Sequence, residues 1–453
     1  MGSLFSMLHL ASNALSAFQR AMNVTSNNTA NAAAPGYAKQ IVQFESQPFD
    51  TQMAVAGGVA YGGTVDTRDQ FAEQVVRQRV SDQGKATQDA SLYASLQSAL
   101  PVDGLSGIAV ALSSFFQAFS ALTTTPNDPD LRQNALNAAQ HAAQAFRGTM
   151  QQLDEVGAGV RQNLTVQVSQ VNQLAQQIAS INQQIEQNVS AASDPGLEAR
   201  LSQTLEQLSQ FVGVSVLRQD NGTVSVSVGQ ASLVSGDTAE PLKLVPSNGQ
   251  MALHDSEGND ISQRIGSGSL QSVLNMAATV LPGMVDSINQ LAQSFATSIN
   301  GTLATGIDQT NGPPAQDLFS FDAGNGAAAT MAVNALRPAQ LALASPTAPG
   351  GNAVAVQIAS LQSANLINGQ TLSQYYGSLA AQVGQMLSTA QTDQTTAESL
   401  TAQAQSARQN LQGVSLDEEA MNLLEFQRGY EAMSKFVKAV DEMTQELIAD
   451  MVR

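Results

Sequence analysis

The side chains able to do chemistry are few and scattered. His9, His141 and His254 are the only histidines, and they fall in no His-x-x-x-His spacing that a zinc site would use. There is no cysteine, which excludes disulfides, thiolate metal sites and cysteine nucleophiles. Asp255-Ser256-Glu257-Gly258-Asn259-Asp260 has the composition of a calcium loop without its ligand spacing or closing Glu, and reads as a solvated turn. Gly57-Gly58 and Gly62-Gly63 are not followed by the Lys-Ser/Thr of a phosphate loop. Paired carboxylates such as Glu418-Glu419 are the residue type that glycoside hydrolysis requires. They sit, however, at a helix start, where favouring the dipole is role enough. No carboxylate is singled out by an apolar setting. The reading is a non-enzyme, with no cofactor and no metal.

Composition narrows the partners. The chain has 453 residues, 19 Lys+Arg against 37 Asp+Glu, and a formal net charge of −18. A nucleic-acid binder needs a basic face, and no basic cluster is present; anionic membrane surfaces are disfavoured for the same reason. No apolar run reaches the roughly 18 residues of a membrane span, so no membrane insertion is expected. The N-terminus lacks the basic start and apolar run of a cleaved signal peptide. Met1-Gly2-Ser3-Leu4-Phe5-Ser6 fits a myristoylation pattern; the plainer reading is that Gly2 merely precedes an apolar stripe. Charged residues are 12% of the chain, about half the usual share, as in long, lightly charged helices packed along their length.

The elements at the two ends carry the strongest pattern. Leu4, Leu8, Ala11, Leu15, Phe18, Met22 and Thr25 step alternately by four and three, as on one face of a coiled-coil helix. Asn27, Asn28 and Asn31 interrupt the stripe and Pro35-Gly36-Tyr37 stops it. Leu416, Leu423, Phe426, Tyr430, Met433, Val437, Val440, Thr444, Leu447 and Met451 repeat the alternation at the other end. A lone helix of about 25 residues is marginal in water. The bland reading is two surface helices of a globular fold. The sharper one is a terminal pair completed by packing against other copies, with these residues and the Asn and Pro-Gly-Tyr positions as the assembly interface.

Between the ends, residues 36–65 read as extended or looped, with a hint of a short strand at 41–44. Helices are expected over about 67–100, 110–122, 129–153 and 372–411, and near 268–300 with a kink near Pro282. Asp128 or Asp130 is the candidate cap of the 129 helix. A seam runs through Val160, Leu164, Gln167, Val171, Leu174, Ile178, Ile181 and Ile185. At Val212 the period changes to two, and Asn221-Gly222 signals a hairpin with a tight primed turn. Short strands are expected to about Leu253. The expected fold is mainly α with an inserted β-rich domain, nested as terminal coiled-coil helices, a long-helix bundle and an outer β module. The corresponding domains are 1–35 with 415–453 (terminal coiled coil), 36–211 with 265–300 and 351–414 (long helices), 212–264 (β-rich, outer) and 301–350 (irregular, reduced outer segment).

Ser26-Asn27-Asn28-Thr29-Ala30-Asn31 with Pro35-Gly36-Tyr37, and Val414-Ser415-Leu416-Asp417-Glu418-Glu419 with Asn422-Leu423, Phe426-Gln427 and Tyr430, resemble the two ends of the bacterial flagellar axial proteins of rod, hook and hook-associated type. Tyr37-Ala38-Lys39-Gln40, Asn127-Asp128-Pro129 with Arg132-Gln133, the Ile178–Ile185 seam and Asp220-Asn221-Gly222 with Leu233-Val234-Ser235-Gly236 resemble the hook-associated members at the hook–filament junction. The resemblance implies a structural protein of the flagellum, exported unfolded by the flagellar type III apparatus without a cleaved signal, and located extracellularly. It implies a junction ring at the hook tip, with the hook protein, a second hook–filament junction protein and, indirectly, flagellin as neighbours. It also implies a cytoplasmic export chaperone on the C-terminal helix, at Phe426, Tyr430, Val437, Val440 and Leu447. The alternatives are a flagellar hook or distal rod protein and, from another class, a secreted helical translocator or toxin.

Overall fold

The computed structural model describes residues 2–50, 55–101, 106–187, 194–247 and 250–451, with side chains undescribed at 2–5, 49–50, 55–56, 250 and 450–451. The chain opens with helix α1 (Gly2–Asn31), followed by a long antiparallel hairpin of β1 (Gln40–Asp50) and β2 (Val55–Asp66). Of the extended or looped reading of 36–65 the structure takes the extended one, and the strand hinted at 41–44 is longer than expected. The glycines that suggested a loop sit inside the ladder: Gly57, Gly58 and Gly63 take positive φ, and the register shifts between Gln43 and Phe44, opposite Gly63 and Tyr61. Such a bulge needs a residue without Cβ strain.

Helix α2 (Gln70–Ser98) starts at Asp69, whose carboxylate accepts the N–H groups of Phe71 and Ala72. After α3 (Gly107–Leu122), α4 (Pro129–Gln187) runs unbroken for 59 residues, about 88 Å. Asp128 is its cap, accepting from the N–H groups of Asp130 and Leu131 at 2.9 and 3.2 Å. The expected end at Leu153 is therefore corrected: Gly157 and Gly159 lie within the helix. Glycine costs about 1 kcal/mol in a helix, far less than burying the seam returns. Val160, Leu164, Val171, Ile178, Ile181 and Ile185 are buried, and Leu174 is partly so. The polar seam residue Gln167 is satisfied on both sides, donating to Gln88 and Asn163 and accepting from the Ser269 hydroxyl at 2.9 Å.

Helix α5 (Pro195–Phe211) leads into an antiparallel sheet of β3 (Val214–Arg218), β4 (Val224–Val228), β5 (Ala231–Ser235) and β6 (Thr238–Ala239), then a hairpin of β7 (Lys243–Ser247) and β8 (Gln250–His254). The strands fall where period two placed them, but the first turn differs. Only Gly222 takes positive φ there, and the loop closes through Gln219 N–H to the Thr223 carbonyl at 2.9 Å. It is longer than a two-residue primed turn because pairing resumes only at Arg218 and Val224. Two α4 asparagines fasten this β region. Asn182 donates to the carbonyls of Val224 and Gly236 and accepts from Val224 N–H, while Asn172 exchanges two bonds with the Leu242 backbone.

Helix α6 (Ser269–Asn275) continues through a π-helical turn (Met276–Val280) into α7 (Leu281–Ala304). That turn is the expected disturbance near Pro282, whose missing N–H and bulky ring disrupt the preceding ladder. Residues 301–350 hold short pieces, namely β9 (Phe319–Ser320), α8 (Ala327–Thr330) and β10 (Ala332–Val333). Their Leu318, Phe319, Met331, Leu341 and Leu343 are nevertheless buried in the bundle core. Buried Arg132 on α4 pins the segment by donating to the carbonyls of Pro338 and Leu341 at 2.9 Å each. Phe115, Phe116, Phe119, Phe146, Phe295 and Phe319 stack there in one cluster. After α9 (Ala353–Ser360), helix α10 (Leu372–Gln412) packs along α2, and α11 (Leu416–Met451) returns to α1. The architecture is mainly α with an inserted β-rich region.

Candidate assembly site, the terminal helix pair

Alanines bring α1 and α11 together. Ala11, Ala14, Ala17, Ala21, Thr25 and Asn28 are the buried side of α1. The face is thus rotated from the expected stripe: Leu15, Phe18 and Met22 are half-buried flanks, and Leu8 is 39% exposed. Small residues win the contact because they allow close approach of α11 and of the β1–β2 hairpin, both of which pack on α1. Phe18 lies on Gly429 of α11, where a Cβ would come within 2.8 Å of the ring, and Leu10 lies on Gly58 of β2. Phe44 of β1 bridges Phe18 and Phe426, with ring centroids 5.9 Å apart on both sides. Arg20 sits 4.5 Å over the Tyr61 ring, a cation–π contact.

The expected C-terminal seam faces this contact. Leu423, Phe426, Tyr430, Met433 and Val437 are half-buried and Val440 is buried, while Leu416 and Leu447 are exposed at 56% and 40%. The side chains of Leu4 and Met451 lie outside the described residues. The sequence reading missed a widening of the apolar face. Met421, Leu424, Phe436, Met443 and Ile448 are also exposed, placed beside the seam rather than on it.

A polar hub closes the pair. Asn28, 1% exposed, donates to the Gln40 carbonyl at 2.8 Å and to Glu419 Oε2 at 3.1 Å. Its carbonyl oxygen accepts from Gln40 N–H at 2.9 Å and from the Tyr37 hydroxyl at 3.0 Å. One asparagine thus joins the end of α1 to the start of β1 and the first turn of α11; since Asn28 meets Glu419 and Phe18 meets Gly429, α1 and α11 run antiparallel. Lys39 Nζ reaches Glu418 at 2.8 Å and Glu419 at 3.2 Å. Those two acids are thus ion-pair partners as well as dipole-favouring residues. Asn27 and Asn31 stay at the surface, joined by Asn31 Nδ2 donating to the Asn27 carbonyl. Pro35 is exposed. Gly36 takes φ +75° with its α-carbon so close to the Ala199 carbonyl that no Cβ would fit.

The electrostatics follow the burial. Desolvation and Glu419 push the Tyr37 phenol up. Burial alone would lower the Lys39 ammonium, but Glu418 and Glu419 together raise it. A second hub lies below. The Glu73 carboxylate accepts from Gln412 Nε2 at 2.7 Å, Arg68 at 2.8 Å and the Ser202 hydroxyl at 2.8 Å. Burial favours its neutral form, yet these donors and Arg408 hold it below the usual carboxylate range. Gln412 also accepts, through Oε1, from Asp69 N–H and, through its carbonyl, from Lys39 N–H. The chain segment between α10 and α11 is locked to both hubs.

Elsewhere, His9 and His141 are exposed, and the turn at Asp255 is held by its own hydrogen bonds. The Asp255 carboxylate accepts from the N–H groups of Glu257 and Asn259, and His254 Nδ1 lies 2.8 Å from the Gly258 carbonyl. Among the described residues no group of acids and histidines could hold a metal ion. No described helix is long and apolar enough to cross a membrane.

Comparison with known proteins bears on this pair and on the bundle. The family model described as flagellar hook-associated protein FlgK helical domain matches residues 93–319. Flagella basal body rod protein matches 8–37, and flagellar basal body rod FlgEFG protein C-terminal matches 405–450. Flagellar hook-associated protein 1 of Bacillus subtilis is 26% identical over 503 residues, covering 100% of this chain and 99% of its own. Its namesake in Escherichia coli is 29% identical over 335 residues, covering 70% of this chain but only 60% of the relative. The structure of the flagellar hook junction protein FlgK from Burkholderia pseudomallei superposes with a TM-score of 0.69 at 16% identity, over 76% of this chain and 100% of that one, which shows a shared fold.

Proposed function

The chain belongs to the family of flagellar hook-associated protein FlgK, and from that premise we propose that it forms a ring at the hook tip through its terminal helix pair. A hook-associated structural component of the flagellum is what the family provides. The finer reading is that copies pack side by side through Leu8, Leu416, Leu447 and the exposed flanks of α11, between the hook protein and a second junction protein, with flagellin beyond. The observation that carries it is the half-covered α1–α11 pair. Met443 and Ile448 remain 57% and 54% exposed, and Leu416, Met421, Leu424, Phe436 and Leu447 of the same helix are exposed with them, a concentration of exposed large apolar side chains of the kind that marks an interaction surface.

On this reading the layers divide as 1–35 with 415–453, 36–211 with 265–300 and 351–414, and 212–264 outermost. Residues 301–350 contribute short pieces to the bundle. Export unfolded through the flagellar type III apparatus to an extracellular position belongs to the same proposal. So does a cytoplasmic chaperone covering Phe426, Tyr430, Val437, Val440 and Leu447 beforehand.

The test is electron microscopy of cells lacking the gene. Hooks without filaments, with flagellin released to the medium, are expected. Absent hooks would assign the protein to the rod or hook instead, and intact filaments would overturn the assembly role altogether.

A further inference from the structure

We propose that the cavity between α2, α5 and the β3–β4 sheet is a binding site for a carboxylate-bearing polypeptide segment, with Arg77 as its anchor and Arg264 at its mouth. The cavity holds about 630 Å³ and is lined by Arg77, Arg264, Gln74, Gln78 and Ser215 among others.

Charge accounting around it is uneven. Three arginines in this junction each have a glutamate: Arg68 with Glu73 at 2.8 Å, Arg218 with Glu198 at 2.8 Å and Arg408 with Glu206 at 2.7 Å. Arg77, half-buried beside them, has none. Among the described residues neither it nor Arg264 forms an ion pair within 4.0 Å. Asp82, the acid on the rim, is instead 3.5 Å from Arg79.

A guanidinium stays charged at any physiological pH, and withdrawing it from water without a counter-charge is costly. Burial and the nearby Arg218 and Arg408 disfavour the Arg77 charge, with Glu73 and Glu206 only partly offsetting them. An incoming carboxylate would meet the planar fork that suits it. Most of the remaining lining is Gln, Ser and Gly, with Val214 and Val216 as its apolar part. Ser81 and Ser267 are joined by a 2.6 Å hydroxyl contact, and Gly213, Gly229 and Gly266 leave backbone at the surface of the cavity. Gly229, at φ +56°, lets the chain carrying Arg264 pass close by, since a Cβ there would come within 2.8 Å of the Arg264 carbonyl oxygen. The lining carries Arg77 and Arg264 against the single acid Asp82, a net positive charge in a chain of net charge −18, which favours an acidic segment.

The probes are a short oligoglutamate peptide, its oligoglutamine counterpart and inorganic phosphate, titrated calorimetrically into the full chain at low ionic strength. Saturable binding of oligoglutamate alone is expected, weakened about tenfold in Arg77→Gln, as loss of one charge-assisted pair would give, and weakened less in Arg264→Gln. Arg264 is exposed, so that variant keeps the test valid if Arg77→Gln melts early. Phosphate binding without peptide binding would overturn the polypeptide occupant. No saturable heat with either anion, or unchanged affinity in both variants, would overturn the site.

Discussion

Asn28 carries the most structural weight of any single residue in the terminal pair. Its amide meets four partners from three segments, and each would be left wanting if it were removed. Asn28→Ala should cost about 2–3 kcal/mol of stability, measured by urea denaturation, whereas Asn31→Ala, at the surface, should stay within about 0.5 kcal/mol. Equal effects would remove Asn28 from its central place. Titration gives a second check. Lys39 and Tyr37 have folded values raised above 10.5 and 10.0. Their contribution is therefore complete below pH 10 and is lost as pH rises through the folded values. Glu73 is shifted the other way, below 4.5. Its contribution is present above pH 4.5 and is lost as pH falls through the folded value. The protection factors of α1 amides, which divide out the base catalysis common to all amides, should fall above about pH 10 in wild type. In Lys39→Met that added alkaline sensitivity should shrink; an unchanged profile would detach Lys39 from the pair.

At the scale of elements, glycines separate propensity from packing. Gly148 and Gly159 on α4 have no neighbour within 4 Å of a built Cβ and are exposed. Alanine at either should stabilise by about 0.5–1 kcal/mol through helix propensity. Gly84 is also inside a helix, yet a Cβ there would meet the Gln210 backbone carbonyl of α5, and backbone cannot swing aside. Gly84→Ala should lose about 1–3 kcal/mol despite the same propensity gain. Thermal melts of the three variants decide it, and a stabilised Gly84→Ala would mean that α2 and α5 are not in the contact described. The sequence shows three helical glycines alike; only the neighbour across the gap distinguishes them.

For the whole molecule, the uneven cover of α11 separates folding from assembly. Met443→Asp with Ile448→Asp alters side chains that the monomer leaves in water. The pair should change stability by less than about 1 kcal/mol while abolishing filament attachment in complemented cells. A large loss of monomer stability would place these residues inside the fold rather than between copies.

Much of this protein was legible from residue order. The α4 seam from Val160 to Ile185, the alternating strands from Val214 to Leu253 and the α11 seam from Leu423 to Val440 follow from periodicity, because burial on one face imposes a period of 3.6 or 2 whatever the partner; the cap of α4 was narrowed by residue type to Asp128 or Asp130, and the structure selects Asp128. Of the Asn and Pro-Gly-Tyr signatures, Asn28 and Tyr37 enter the polar hub at the end of α1, whereas Asn27 and Pro35 stay exposed. Tertiary structure alone decided which face of α1 is covered, since large side chains advertise a stripe more strongly than the alanines that permit close approach. It alone turned the glycine-rich segment after Tyr37 into a hairpin, and joined Lys39, Glu73, Gln412 and Glu419, residues separated by hundreds of positions, into two hubs. Pairing of buried charges depends on which segments meet, and that is a property of the packed chain rather than of any local spacing.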